Sequence, residues 1–459
     1  MTTIFKLPSE ILFFVFSLAV RNSHIPHLIL TTGNDFKDCV TLINISRVCR
    51  RWRELALTDP SFWSSIHIHL DDPTAETLRQ ATYFADVCFS RSKKLPLTVS
   101  ITLANLSDLR VAHPLMYMVI SHEPRWSRIA INLTPNRRSP ESSISRIVDL
   151  PNCRSPESTA ITFPESRNRA SEQQYLELRN AGSSHLKEFQ FNLGSLFTYS
   201  MTEPLPTLES LRITCYKLTG CMYTLTKWLP LAPNLQELEL TVHYDCFFAY
   251  AAKQNEQAWM TAAQETRVRP HFVLPTLRTL NVWAPLIPYF TCPGLETYVM
   301  EKISWQAQDL TNYLEFVERS GTPPSFRSIE IKTPPSLLDA AHVRGYFLPT
   351  ITNLRVMSPS ELFFTILFER TQEDGVNGPN VLPELEHVEV TNCRDSCLPY
   401  VSVLITSRWD FGAPHRTLKS VKLNRCFTSS PVPEALLSPP CDGIDLTGVR
   451  EDWREIARV

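Results

Sequence analysis

Leu274-Pro275-Thr276-Leu277-Arg278-Thr279-Leu280-Asn281-Val282 places apolar side chains at 277, 280 and 282, with a proline two residues ahead of the first. Six further segments carry the same phrase, at 205–213, 232–240, 292–300, 323–331, 348–356 and 382–390, and looser copies lie at 126–131, 186–191 and 418–423. With 35 Pro in 459 residues, a proline recurring at one offset from an apolar triad marks an internal repeat. Positions 280 and 282 are two apart, so they share one face of a strand while 281 faces the other way. Between copies lie helix-like stretches, Leu218 to Leu229, Gln308 to Ser320 and Leu398 to Trp409. The interval from Leu277 to Leu295 is far shorter than that from Leu235 to Leu277, which implies insertions. The expectation is an α/β solenoid over residues 67–428, with parallel strands and returning helices.

Such an array resembles leucine-rich repeats. Cys393 and Cys426 fall at that repeat's Asn/Cys position, eight residues after Leu385 and Leu418, and are expected to serve packing. The outward residues between the last two apolar positions form a candidate target-binding row: Arg212, Glu239, Asn281, Val299, Glu330, Arg355, Glu389 and Lys422. Its mixed sign suits a protein target better than nucleic acid; an ordinary solvated sheet face is the alternative. Residues 134–174, rich in Ser, Pro and Arg, read as an insertion, and Arg-Ser-Pro places Ser139 and Ser155 in a context for a proline-directed kinase. Residues 429–459 read as a tail or cap, with a closing helix at 449–459.

The N-terminal residues read differently. Leu7-Pro8-Ser9-Glu10-Ile11-Leu12 opens a helix with proline and an acid in its first turn, and the apolar run continues to Val20. Residues 21–38 break it, and a second helical region is expected from about Cys39 to Leu57. Asp59-Pro60-Ser61-Phe62-Trp63 then turns the chain into an alternating strand, Ile66 to Leu70. L-P-S-E-I-L, V-C-R-R-W-R-E-L-A and D-P-S-F-W together resemble the F-box, a small all-α module, here at 1–66. The linker at 21–38 is longer and more polar than usual for that family. The resemblance implies a substrate-recognition subunit of an SCF-type ubiquitin ligase, docked on the Skp adaptor and through it on a cullin-RING ligase, with an unknown protein substrate. Carried over by position, it assigns adaptor contact to Leu7, Pro8, Ile11, Leu12, Val48, Cys49 and Trp52; the module's own core competes for the same residues. Arg50, Arg51 and Arg53 read as a solvated helix face.

Composition narrows the rest. Lys and Arg number 45 against 47 Asp and Glu, a net charge of −2, so the basic excess that nucleic acid or an anionic membrane calls for is missing. Only 12 Gly are present, with no G-x-G, G-x-S-x-G or H-E-x-x-H, so no cofactor is expected and a non-catalytic adaptor is preferred to an enzyme. The pairs His24/His27 and His67/His69 lack a third ligand nearby. Twelve dispersed Cys suit reduced thiols in the cytoplasm or nucleus. A second reading is a secreted, repeat-based interaction scaffold, in which Lys6, the run Ile11 to Phe16 and Ser17-Leu18-Ala19 imitate a signal peptide; Pro8 and Glu10 suit a folded helix better. No stretch reaches the ~18 apolar residues of a membrane span.

Overall fold

The structure, a computed structural model, describes residues 7–22, 37–106, 112–135, 176–179, 185–192, 197–200, 203–215, 225–226, 228–242, 271–301, 307–332, 344–367, 370–371, 378–379, 381–393, 395–409, 417–424, 426 and 445–447. The Ser/Pro/Arg-rich insertion with Ser139 and Ser155, the first His pair and the closing helix at 449–459 lie outside these residues. The chain divides into two compact units, Met1–Asn234 with Val242–Trp259, and Leu235–Thr241 with Met260–Val459.

In the first unit, helices α1 (Ser9–Asn22), α2 (Lys37–Val48) and α3 (Arg50–Thr58) precede β1 (Ser65–Asp71), α4 (Ala75–Arg91), β2 (Leu97–Leu106), α5 (His113–Ser121) and β3 (Trp126–Pro135). After these come β4 (Leu176–Arg179), β5 (Glu188–Asn192), β6 (Phe197–Ser200) and β7 (Ser210–Cys215). Strands β1, β2, β3, β5 and β7 pair in that order, all parallel, while β4 and β6 form a separate parallel pair. Helix α4 returns the chain from β1 to β2. It is capped by the reciprocal Thr74 and Thr77 pair and buries Leu78, Ala81, Ala85, Cys88 and Phe89, one apolar stripe.

The second unit repeats the pattern with β8 (Glu237–Val242), β9 (Phe272–Val273), β10 (Thr279–Trp283), β11 (Phe290–Thr291), β12 (Thr297–Glu301), β13 (Ser328–Ile331) and β14 (Asn353–Met357). It continues with β15 (Arg370–Thr371), β16 (Gly378–Pro379), β17 (His387–Thr391), β18 (Ser420–Asn424) and β19 (Asp445–Thr447). Its main sheet runs β8-β10-β12-β13-β14-β17-β18-β19, again wholly parallel. Helices α6 (Ala307–Arg319), α7 (Glu361–Leu367) and α8 (Leu398–Trp409) lie between strands. Two of the expected helices thus form where the sequence placed them; of Leu218 to Leu229 only the end is described, leading into a 3-10 turn at Leu229–Leu231. Strand β19 lies in the tail that lacks the repeat phrase, so the parallel pairing outlasts the recognisable repeat. Among the described residues, β1 and β19 each pair on one side only, and the pairing does not close.

The recurring proline has a local cause. In six phrases the N–H of the first apolar residue donates to the carbonyl three residues back: Leu208 to Leu205, Leu277 to Leu274, Leu295 to Cys292, Phe326 to Pro323, Ile351 to Leu348 and Leu385 to Leu382, at 2.9–3.3 Å. Each is a β-turn with proline at its second position, where a φ near −65° is already required. The residue after the proline then stitches repeats together. The hydroxyls of Thr207, Thr276, Ser325 and Thr350 donate to the carbonyls of Leu186, Leu235, Leu295 and Phe326, each the first apolar residue of the preceding copy, and Thr417, which follows Arg416 in a copy without that proline, donates to Leu385 O in the same way. Gly294 occupies this position where the chain approaches closest, since a Cβ there would lie 2.6 Å from the Pro275 carbonyl oxygen.

The strand positions after the turn fill the core. Leu238, Leu280, Tyr298, Ile329, Leu354, Val388 and Val421 form one buried row, and Leu240, Val282, Met300, Ile331, Val356, Val390 and Leu423 the next. Tyr298, Tyr313 and Tyr346 meet behind the sheet at centroid distances of 5.1–5.6 Å.

Candidate functional site

The second helical region is not one helix. It breaks at Cys49, whose extended backbone (φ −159°, ψ 171°) lets Sγ accept the Trp52 N–H at 3.4 Å and cap α3. Leu12 and Phe16, one turn apart on α1, are buried in the module; Phe16 meets Trp52 edge-on at 4.9 Å, and Phe13 lies 4.9 Å from Phe62. Trp63, also buried, donates its Nε1–H to Ala56 O at 2.8 Å and carries the Arg91 guanidinium 4.3 Å over its ring, which fastens the module to α4. Arg51 does more than solvate a face: Nη2 donates to Leu7 O at 2.7 Å and Ser9 Oγ at 3.3 Å, fixing the start of α1 against α3. Arg53 Nε donates to Ser46 O at 3.0 Å, while Arg50 pairs with Glu54 at 2.9 Å along its own helix.

With one face of α1 committed to the core, the opposite face carries Ile11, Phe14, Val15 and Leu18, between 43% and 61% exposed. Their i, i+3, i+4, i+7 spacing makes one line, and exposed Val48 ends α2. A monomeric surface rarely leaves so many large apolar groups in one stripe. Of the residues expected at an adaptor contact, Pro8, Ile11 and Val48 are exposed, and Leu7, Cys49 and Trp52 half-buried. Leu12 is fully buried, because the apolar run of α1 must serve two faces and position 12 falls on the inner one, where it belongs to the module's own core. Phe14, Val15 and Leu18, three, four and seven residues on from Ile11, share its exposed face.

The outward row of the second unit exists as a line of ladder partners. Glu239, Asn281, Val299, Glu330, Arg355, Glu389 and Lys422 stand opposite one another from β8 to β18. Arg355 bridges Glu330 at 3.3 Å and Glu389 at 2.8 Å, and the hydrogen bond it donates to Glu389 raises its pKa above the ordinary value. Glu389 also takes Lys422 at 3.8 Å and the Asn424 amide. Lys332 reaches 3.9 Å from Glu239 across the two strands between them, so acids and bases on this face are matched. Two members are not open surface: Asn281 is 4% and Val299 6% exposed, lying between the strands that Lys332 and Glu239 span. Asn281 Oδ1 is buried without a hydrogen-bond partner. Arg212, in the first unit, is exposed and stands opposite Gln190.

The remaining groups with chemical potential are accounted for locally. His67 Nε2 lies 3.0 Å from Ser65 Oγ, and His69 Nε2 lies 3.6 Å from Asp71. Among the described residues, no group of three or more His, Cys, Asp or Glu could hold a metal ion, and no helix is long and apolar enough to cross a membrane.

The F-box-like family matches residues 4–69, the stretch from before α1 into β1. The chain therefore carries an F-box-like domain at its N-terminal end, followed by large parallel-strand sheets. Such a domain suggests an adaptor-binding substrate receptor of the SCF type. No curated protein matches the chain.

Proposed function

We propose that the chain is the substrate-recognition subunit of an SCF-type ubiquitin ligase and does no covalent chemistry itself. The F-box-like domain docks on the Skp adaptor, and leucine-rich-repeat-like strands, stacked as a solenoid, hold a protein target. The observation that carries this reading is the exposed stripe Ile11, Phe14, Val15 and Leu18 inside the matched segment. An amphipathic helix with its second face unpartnered fits an apolar groove on another protein. On the target side, the members of the second unit's ladder row that reach solvent, Glu239, Glu330, Arg355, Glu389 and Lys422, are the contact face, and Arg212 is a separate candidate on the first unit. The row's matched charges favour a target read by shape and hydrogen bonds rather than by net charge. Tethering such a target beside the ligase's catalytic subunits raises its effective concentration, which is the whole of the mechanism. The protein works in the cytoplasm or nucleus, where thiols stay reduced.

The test is co-purification of the full chain with the Skp adaptor, beside the double variant Phe14→Asp, Val15→Asp. Both positions are exposed, so the variant should keep its circular dichroism and melting temperature while losing about 100-fold or more in affinity. A well-folded wild-type chain that does not bind, or a variant that binds as well as wild type, would sink the reading.

A further inference from the structure

Three thiols meet near the end of the second unit's sheet. Cys393 follows β17 by two residues and Cys426 follows β18 by two, so they hold the same station in successive strands. Thr391 and Asn424 are ladder partners, and the Asn392 N–H still reaches Asn424 O at 2.9 Å. Neighbouring strands run about 4.8 Å apart, within the Cα separation that a disulfide spans. Asn392 adopts a φ of 55°, and past this turn Cys393 lies beside Cys397, the last residue of a 3-10 turn. Cys393, Cys397 and Cys426 are 3%, 2% and 8% exposed, and the Cys393 thiol is hydrogen-bonded to both of the others.

The three differ in surroundings. Cys397 Sγ donates to Pro359 O at 3.2 Å. Cys426 is the most exposed, and its Sγ lies 3.8 Å from Val390 O, on the backbone that leads to Cys393. The hydrogen bond from Cys393 favours the Cys426 thiolate and lowers that thiol below its ordinary value, while Cys393 itself is raised. Cys292, buried in the same unit, is pushed up to about 12 and stays a thiol.

We propose that Cys393 and Cys426 are an oxidisable dithiol, a modification site at which a hydroperoxide forms a disulfide between adjacent strands. The Cys426 thiolate attacks the outer peroxide oxygen and the O–O bond breaks. The alkoxide leaves as the alcohol with the proton Cys426 gave up, and Cys426 becomes a sulfenic acid. Cys393 sulfur then attacks Cys426 sulfur, the S–O bond breaks, and hydroxide leaves as water with the Cys393 proton. Two electrons pass from the sulfurs to the peroxide: two thiols and one hydroperoxide give one disulfide, one alcohol and one water. The product bolts β18 to β17 across the loop that contains α8.

The experiment treats the reduced, folded full chain with a small excess of hydrogen peroxide, then maps disulfides by mass spectrometry after digestion without reductant. A peptide pair joining Cys393 to Cys426 is expected, lost in Cys393→Ser and in Cys426→Ser but kept in Cys397→Ser. Alkylation of the reduced chain should be faster at Cys426 than at Cys292, a comparison that needs no variant. A Cys393–Cys397 bond instead, cross-linking only after unfolding, or Cys426 no faster than Cys292 would each overturn the proposal.

Discussion

Arg408 shows what one residue carries in this fold. It is buried on α8, and among the described residues its partners are carbonyls: its guanidinium donates to Leu382 O at 2.9 Å, Leu367 O at 3.2 Å and Val381 O. Burial lowers its pKa to about 10, so it remains a cation at neutral pH. The carbonyls it satisfies include the end of α7 and that of Leu382, whose φ of 54° is left-handed. Arg408→Met keeps the packing and orphans three acceptors, and urea unfolding should show a loss of about 3 kcal/mol. His122 couples the fold to pH. Half-buried against Phe89 at 4.4 Å, its pKa lies below the ordinary 6.5, first because burial disfavours the charge and then because Arg125 repels it, against a smaller pull from Asp86. The unfolded chain therefore takes up this proton before the folded one does. Stability contributed by His122 is present above pH 6.5 and is lost as pH falls below it toward the folded value. Melting temperatures measured down this range should fall less steeply for His122→Gln.

At the scale of the element, the unit of construction is the proline turn with its hydroxyl stitch. The turn sets where each strand begins, and the Thr or Ser after the proline ties that beginning to the repeat before it. Thr276→Val removes one such tie, from Thr276 Oγ1 to Leu235 O at 2.9 Å, without changing shape. The expected loss is about 1 kcal/mol in denaturant unfolding; a loss below the error of the fit would make the stitch incidental. Helix α1 shows how one element divides its labour. Its apolar run is continuous from Ile11 to Phe16, and only packing against Trp52 and Phe62 separates the inner face, Leu12 and Phe16, from the outer stripe.

For the molecule as a whole, each described strand of the main sheets pairs with the strands beside it, so much of the stability is built from nearest-neighbour terms. Two compact units follow from the same chain. Leu280→Ala empties a fully buried site in the second unit's sheet, and the cost should be about 2–5 kcal/mol. Calorimetry is expected to show one transition moving down while that of the first unit stays in place; a uniform shift would mean a single cooperative body.

What the sequence by itself determined is the repeat: Pro275 two residues before Leu277, with Leu280 and Val282 beyond, encodes a turn, a strand and an inward face. All of that is local, because a β-turn and a two-residue alternation are settled within about ten residues. The ladder row from Glu239 to Lys422 could be written down from the same spacing. Which of those side chains meets water could not. Asn281 and Val299 stand at outward positions and are buried, Leu12 and Ile11 are neighbours and face opposite ways, and the second helical region is divided in two at Cys49. Burial is decided by groups far off in the chain, such as Lys332 with Glu239, and only tertiary structure brings those together.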